Sequence, residues 1–181
     1  MPNRLKNSGY STLSLHGASR EMYDRMYWYP RAGFEKEIFF ESKPWPVKCV
    51  SFPGVCDLDL RDEVVNFFDS SGKRLMYWMT LNTHAFDDLE DLRKDVLDCE
   101  TLRVQPSSAT CRYLKLHEQF FYGLAEMTTD PRMAGVTVRV IGDHPPAIRN
   151  ADEKRKYFKE GVIGWLEFTI PQRGGHNGDV Q

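Results

Sequence analysis

Three apolar segments of strand-like composition each lead into a histidine. They are rich in Val, Ile, Leu, Tyr and Trp, which is typical of β-strands. The segments and their histidines are Ser11–Leu15 before His16, Leu75–Asn82 before His84, and Val136–Ile141 before His144. Ligands of open α/β sheets bind beyond the carboxyl ends of parallel strands, so the pattern predicts that the histidines and Asp143 share one edge of a sheet.

Segments with helical spacing separate these strands. Leu58–Phe68 follows Asp57 and has apolar residues at helical spacing, and Tyr113–Met127 has a strongly amphipathic pattern. The other predicted elements are short helices at Arg20–Tyr27, Phe86–Val96 and Ala151–Lys159, and a final strand at Ile163–Ile170. The alternation of strands and helices favours an α/β fold with a mostly parallel sheet and helices on both faces.

The length of 181 residues allows one domain with a substantial core, which we predict over residues 1–171. Residues 172–181 form a Gly-rich polar tail that we predict to be disordered. The net charge of -2 argues against a nucleic-acid binder that depends on bulk basicity. Met1–Tyr10 is polar and no apolar run reaches about 18 residues, so membrane association is expected only through a segment outside this chain.

The four cysteines form two local pairs, Cys49 with Cys56 and Cys99 with Cys111. Their spacing lacks the Cys-x-x-Cys motif and the nearby histidines of structural zinc sites. Local pairing of an even number of cysteines is compatible with two disulfides in an oxidising compartment. It is equally compatible with four reduced thiols in the cytosol.

The histidines and the acidic residue beside the last of them suit a metal, an anionic ester or both. Asp143 and His144 are adjacent just after a strand and both suit a cation. The two prolines that follow also fit a rigid turn in which the aspartate caps a main-chain amide. His84 ends a strand in the polar sequence Asn82-Thr83-His84, which is typical of a binding site, or alternatively of a residue that caps the next segment.

His16 opens a further candidate segment. Gly17 follows it and allows close approach of the backbone to a ligand, and Tyr23 and Arg25 lie downstream. The guanidinium fork of Arg25 suits a phosphate or sulfate, whereas a surface ion pair with a neighbouring acidic residue is the commoner role of an arginine. Tyr23 suits either helix packing or the wall of a ligand site.

Four short motifs follow one another along the chain. They are Leu5-Lys6-Asn7-Ser8-Gly9-Tyr10 leading to His16-Gly17, then Gly54-Val55-Cys56-Asp57, Thr80-Leu81-Asn82-Thr83-His84, and Gly142-Asp143-His144. In this order they resemble the C-terminal part of the extracytoplasmic catalytic domain of the sulfatase and alkaline phosphatase superfamily. The branch they resemble most is that of the lipoteichoic acid synthases and phosphoglycerol transferases, and phosphoethanolamine transferases are more distant.

The resemblance implies an alkaline-phosphatase-like fold and a metal-dependent phosphoester transferase or hydrolase. By similarity, the metal ligands would be Asp143 and His144, and the substrate-binding residues His16, Tyr23, Arg25 and His84. The metal would be a divalent ion, manganese or zinc, and the transferred group phosphoglycerol or phosphoethanolamine. The implied substrates are phospholipids or glycans of the cell envelope. An extracytoplasmic location, periplasmic or on the outer face of the cytoplasmic membrane, is also implied and favours the two disulfides.

The family's threonine or serine nucleophile, and an acidic metal ligand, precede the segment that begins at Leu5. We therefore expect the N-terminal portion of the domain, with the catalytic nucleophile, to be missing from this chain. Pro145 and Pro146 stand where the family usually has glycine after the histidine. The alternative interpretations are a sulfatase, a non-catalytic fragment that binds an anionic glycan or a partner, and an α/β scaffold whose histidines are structural.

Overall fold

The computed structural model describes residues 1–84 and 88–172, and this part of the chain forms two sheets. A three-stranded sheet has the order β2-β1-β3, with strands β1 (Tyr10–His16), β2 (Lys36–Ile38) and β3 (Lys73–Met79). Both of its pairings are parallel, and His16 lies opposite Met79 at the carboxyl end of β1. The second sheet is a two-stranded antiparallel ribbon that consists of β4 (Thr137–Ile141) and β5 (Trp165–Thr169).

Five α-helices lie around these sheets in the described residues. They are α1 (Pro2–Lys6), α2 (Arg25–Ala32), α3 (Arg61–Phe68), α4 (Ala109–Thr128) and α5 (Ala151–Tyr157). Single 3₁₀ turns precede α2 at Met22–Asp24 and α3 at Asp57–Leu60, and others lie at Phe40–Ser42 and Pro131–Met133. Helices α3, α4 and α5 confirm the helices predicted at Leu58–Phe68, Tyr113–Met127 and Ala151–Lys159.

Successive side chains of β1 point to opposite faces of the sheet, and each face is covered. Leu15 faces the main core cluster, to which α3 and α4 contribute Val64, Val65, Leu124 and Met127. On the opposite face, the Thr12 hydroxyl donates to the Gly33 carbonyl at the end of α2, at 2.8 Å. The predicted α/β class, with a mostly parallel sheet and helices on both faces, is confirmed.

The strand before Asp143 does not join the parallel sheet. β4 pairs with β5 in the antiparallel ribbon, so the expectation that all three histidine-terminated strands are parallel is wrong. Val138 and Val140 pack against the main core, whereas Arg139 lies on the outer face and pairs with Glu167. Such alternation is typical of an antiparallel strand with one solvated face, because parallel strands are usually buried on both faces.

Two of the weaker helix predictions differ from the structure. α2 begins at Arg25 rather than Arg20, because Tyr23 and Asp24 both have a φ of 54° and interrupt the preceding turn. Residues 88–96, the described part of the helix predicted at Phe86–Val96, contain no helix. Residues 173–181 of the predicted disordered tail lie outside the described part of the chain.

Both local cysteine pairs are disulfides, Cys49–Cys56 and Cys99–Cys111. The first closes a loop whose backbone pairs with the residue after β1, since the Val55 N–H donates to the Gly17 carbonyl at 2.9 Å. The second joins the loop before α4 to the first turn of that helix. Among the helices of residues 1–84 and 88–172, none has the length and apolar character needed to cross a bilayer.

Candidate functional site

The carboxyl end of β1 places His16 against the neighbouring strand. The His16 side chain is 4% exposed, and its Nδ1 lies 2.8 Å from the main-chain carbonyl oxygen of Met79. A carbonyl oxygen only accepts hydrogen bonds, so Nδ1 carries the proton and Nε2 of the neutral ring keeps a lone pair. This side chain is therefore fixed in one tautomer, with a free acceptor at the edge of the sheet.

Burial keeps this imidazole neutral. The pKa of His16 is lowered from 6.5 to about 4, mainly by desolvation and to a smaller extent by electrostatic interaction with Arg25 and His84, while the hydrogen bond to Met79 opposes the change. At neutral pH, Nε2 of His16 is therefore able to accept a hydrogen bond and has no proton to donate.

Acidification is expected to remove stability that depends on neutral His16. Its pKa is about 4 in the folded state and near 6.5 in the unfolded chain, so between these values only the unfolded chain binds the proton. The contribution is complete above the unfolded pKa and decreases as the pH falls towards the folded pKa, by up to about 3 kcal/mol. Between about pH 7 and about pH 4.5, urea unfolding should show a smaller loss of unfolding free energy for His16→Gln than for the wild type.

Asp57 is a second buried group that titrates in this range, and its contribution to stability changes with pH in the opposite direction. Burial raises the pKa of Asp57 to about 7, so its contribution is present at low pH and is lost as the pH rises through that value. Asp57 is present in both proteins, so its effect cancels when the two unfolding curves are compared. An equal loss of stability in wild type and His16→Gln would contradict the prediction for His16.

Arg25 is a buried cation beside His16. Its side chain is 5% exposed, and Nη2 donates to the Met79 sulfur at 3.2 Å. Nη1 is buried without a hydrogen bond of regular geometry, although the guanidinium lies close enough to the Tyr29 hydroxyl to interact with it, and no ion pair among the described residues joins Arg25 to a carboxylate. A buried guanidinium with an unused donor is costly unless an anion completes it. The alternative interpretation of Arg25, a surface ion pair with a neighbouring acidic residue, is therefore not found among the described residues.

The approach to Arg25 is a strained segment of backbone. Tyr23 and Asp24 both occupy the left-handed region, each with a φ of 54°, which residues with a side chain adopt at a cost. The Tyr23 ring is 77% exposed, and its centroid lies 5.1 Å from the Arg25 guanidinium carbon. Trp28 Nε1 donates to the Tyr23 carbonyl at 3.1 Å and holds this conformation. The segment presents an exposed aromatic face directly beside the buried cation.

The loop after β4 brings two further predicted residues to the same edge. The His84 and His144 ring centroids are 5.4 Å apart, in an edge-to-face arrangement. The pKa of Tyr77 on β3 is raised by burial and, to a smaller extent, by the charge of Asp143, while the charge of Arg25 opposes this change. The Asp143 and Arg25 side chains therefore both lie near the Tyr77 hydroxyl. All six residues predicted from the sequence thus lie at one edge of the parallel sheet, although β4 belongs to the other sheet. These residues are His16, Tyr23, Arg25, His84, Asp143 and His144.

Asp143 and His144 have a donor set that fits a divalent cation. Asp143 Oδ1 lies 3.3 Å from His144 Nε2, and His144 Nδ1 lies 2.9 Å from the Pro145 carbonyl oxygen. The carbonyl fixes the proton on Nδ1, which is the usual orientation of a metal-binding histidine. The lone pairs of Nε2 and Oδ1 then face one another, an arrangement that either a proton or a metal ion between them satisfies.

Three solved structures share this architecture. The lipoteichoic acid synthase LtaP from Listeria monocytogenes aligns with a TM-score of 0.69 and 16% identity over 92% of this chain and 45% of its own. The Streptococcus pyogenes phosphoglycerol transferase GacH, solved in complex with sn-glycerol-1-phosphate, aligns at 0.62 with 15% identity over 90% and 44%. A protein in the alkaline phosphatase superfamily from Vibrio parahaemolyticus aligns at 0.60 with 19% identity over 95% and 42%.

The chain has the alkaline phosphatase superfamily fold. It resembles a lipoteichoic acid synthase within that superfamily, as the sequence motifs predicted. The chain spans less than half the length of each of these structures. No protein-family model matches the sequence, and no curated protein matches it either. The similarity therefore lies in the three-dimensional fold, and the roles of the six residues at its edge stay predictions.

Two residues of the sequence motifs, Asp57 and Asn82, received no site role from the sequence but help to build this edge. Asp57 has the position of a helix start, but its buried carboxylate accepts main-chain N–H groups of Leu81 and Asn82, at 2.8 to 3.0 Å. Asn82 returns the contact by accepting the Asp57 N–H at 2.8 Å. A polar residue within the end of an apolar strand was the available signal for Asn82, whereas nothing local distinguishes Asp57 from an ordinary helix cap.

Gly17 has a different partner from the one predicted. A Cβ atom at this position would lie 2.1 Å from the Val55 carbonyl oxygen, so the absent side chain makes room for another segment of backbone. That segment belongs to the Cys49–Cys56 loop. The sulfur atoms of these cysteines and the Asp91 carboxylate form a compact group, but both sulfurs are in the disulfide and offer no thiolate to a metal.

Proposed function

We propose that the chain supplies the substrate-binding and metal-binding edge of a phosphoester transferase or hydrolase of the phosphoglycerol transferase type. The observation that carries the proposal is the buried Arg25 with an unused Nη1 donor, next to neutral His16 at the carboxyl end of β1. The fold shared with LtaP and GacH supports the same class of substrate. Catalysis by the complete enzyme would also require a hydroxyl nucleophile, which we assign to no residue of this chain.

The proposed ligand is a phosphate ester that carries a hydroxylated substituent. Arg25 neutralises the phosphoryl oxygens with its free donor, and the exposed Tyr23 ring packs against the substituent. Nε2 of His16 accepts from a hydroxyl, because its own proton is held by Met79 on the other nitrogen. His84 closes the site from the β3 side.

We assign Asp143 and His144 as ligands of a divalent metal, manganese or zinc. When bound, such an ion neutralises charge on the transferring group and lowers the pKa of a hydroxyl nucleophile. The residues of this chain hold the ion, orient the phosphoester through Arg25, and present an acceptor at His16. Different residues carry out these three roles, so substitution of one residue tests one role at a time.

The partners that fit this proposal are phospholipids or anionic glycans of a cell envelope. The two disulfides are compatible with an oxidising, extracytoplasmic location, either periplasmic or at the outer face of the cytoplasmic membrane.

A second candidate is binding of an anionic glycan without turnover. In the part of the chain that the structure describes, the Nδ1 atoms of His16 and His144 bond main-chain carbonyls, and no Ser or Thr hydroxyl bonds either ring. This arrangement provides recognition without an activated nucleophile. Release of product from a chromogenic phosphodiester or a chromogenic sulfate ester, with manganese or zinc present, would indicate a phosphoesterase or a sulfatase, and binding of an anionic glycan without release from either ester would favour the binding protein.

Loss of metal binding in Asp143→Ala and His144→Ala is the expected result if this pair binds the ion. Paramagnetic Mn²⁺ broadens NMR resonances of nearby nuclei, so its binding is detected through the His84 ring, 5.4 Å from the ring of His144. The broadening should disappear in both variants and persist in Asp62→Ala, which removes an exposed carboxylate on α3. Broadening of His84 that is unchanged in both site variants would remove the metal assignment.

A further inference from the structure

We propose that Asn82 and the Cys49–Cys56 disulfide form a positioning unit for His84. The inference rests on the proposed function, since it assigns a role to residues that lie behind the binding edge.

The side-chain amide of Asn82 is buried, 7% exposed, and used at both ends. Its Nδ2 donates to the Cys49 sulfur at 3.0 Å and to the Cys56 sulfur at 3.6 Å. Its Oδ1 accepts the main-chain N–H of Asp57 at 2.8 Å. The amide therefore has a single orientation that satisfies its donor and its acceptor, and in that orientation Nδ2 faces both sulfur atoms of the disulfide.

The turn that carries His84 is built on these contacts. The Asp57 carboxylate accepts the main-chain N–H groups of Leu81 and Asn82. The His84 N–H in turn donates to the Leu81 carbonyl at 3.1 Å. The His84 backbone is thus connected to the disulfide by a chain of four hydrogen bonds that passes through Asn82, Asp57 and Leu81.

The disulfide loop also reaches the His84 ring directly. Phe52 lies within this loop, and its ring centroid is 6.3 Å from that of His84, edge to face. The loop is anchored beyond the site, because the Asp91 carboxylate accepts the N–H groups of Val50 and Ser51, each at 2.8 Å. It is anchored on the other side by the bond from Val55 to Gly17, the residue that follows His16.

Removing the Cys49–Cys56 disulfide should therefore affect both Asn82 and Phe52, the two residues that contact the turn or the ring of His84. Without the bond between Cys49 and Cys56, the loop gains conformational freedom and the Asn82 donor loses a fixed acceptor. Phe52 then no longer holds the His84 ring in one place. Because the residues that contact a binding histidine from behind fix its orientation, loss of their contacts weakens binding without destroying the fold.

The second disulfide provides a matched control. Cys99 and Cys111 lie in a separate apolar cluster with Val104, against which Leu97, Leu114 and Tyr157 pack. None of these residues is among the six at the candidate site. Replacing this pair by serine removes the same type of bond from the same chain, and it leaves Asn82 and Phe52 in place.

The experiment compares the wild type with Cys49→Ser/Cys56→Ser, Asn82→Ala and Cys99→Ser/Cys111→Ser. Imidazole resonances of His84 are recorded by NMR, and affinity for sn-glycerol 1-phosphate is measured by titration. We expect both site variants to shift the His84 resonances and to lower the affinity about tenfold. The Cys99→Ser/Cys111→Ser protein should keep the His84 resonances and an affinity within about twofold of wild type, even if it melts at a lower temperature.

Unchanged His84 resonances in both site variants would overturn the proposal, as would an equal change in the control. If Cys49→Ser/Cys56→Ser does not fold, Asn82→Ala decides, since it keeps the disulfide. A wild-type protein that binds no sn-glycerol 1-phosphate contradicts the proposed function, but the His84 resonances still test positioning by themselves. The two proposals therefore fail in distinguishable ways.

Discussion

Replacement of Arg25 by methionine is expected to lower the affinity for sn-glycerol 1-phosphate about a hundredfold, because hydrogen bonds to a charged group contribute roughly 1.5 to 3 kcal/mol. The methionine side chain keeps the packing of the arginine stem and removes the charge. In the free protein the guanidinium is buried and Nη1 has no partner, so the charge costs stability until an anion binds. The unfolding free energy of the free protein should therefore be unchanged, or higher by about 1 kcal/mol.

Arg25→Met is thus expected to lower the affinity without lowering the stability of the free protein. This combination distinguishes an arginine that binds an anion from one that only supports the fold. Thermal unfolding with and without sn-glycerol 1-phosphate measures both: the ligand should raise the melting temperature of the wild type and leave Arg25→Met unaffected. Arg25→Lys retains the charge but lacks the planar fork, and should have intermediate affinity. Arg31→Met, an exposed arginine on the same helix, should bind as the wild type does.

A loss of stability without any change in affinity would contradict this assignment of Arg25. That result would mean that the arginine supports packing against Met79 and Tyr23 and that anions bind elsewhere. The sulfur contact at 3.2 Å and the ring contact at 5.1 Å are the packing interactions in question.

Gly17→Ala is expected to destabilise the chain by about 3 kcal/mol, from overpacking and a lost hydrogen bond. The added Cβ would lie 2.1 Å from the Val55 carbonyl oxygen, which belongs to backbone and has no side-chain rotamer with which to move away. The Cys49–Cys56 loop must then separate from β1, and the bond from the Val55 N–H to the Gly17 carbonyl is lost. Urea unfolding of the two proteins measures the difference.

Gly164→Ala is the matched control for this substitution. Apart from its two chain neighbours, no atom of the described residues lies within 4 Å of the Cβ that it would add, so the same chemical change should be nearly neutral there. The displaced loop in Gly17→Ala should also weaken binding of sn-glycerol 1-phosphate, since Phe52 and Asn82 depend on the loop for their contacts with His84 and the disulfide. A destabilisation below about 1 kcal/mol would show that the loop accommodates the methyl group, contrary to our expectation.

Local signals in the sequence determined the elements and the chemical character of the site. Apolar runs that end in a histidine predicted β1 and β3, and helical spacing predicted α3 and α4, because the spacing of apolar residues follows the period of the strand or helix that they form. The order of the motifs around His16, His84 and Asp143 indicated the superfamily fold. Those same residues lie together in the structure, where their roles await the experiments above.

Only the tertiary structure decided how the third strand reaches the site and what surrounds each group. β4 pairs with β5 in an antiparallel ribbon, since partner choice depends on segments distant in sequence, yet its loop still places His144 beside His84. The neutral state of His16 and the unpaired donor of Arg25 follow from burial, which no local pattern encodes. The same holds for Gly17, Asp57 and Asn82: their partners are separated from them by long stretches of chain, so only the folded backbone brings donor, acceptor and sulfur into contact.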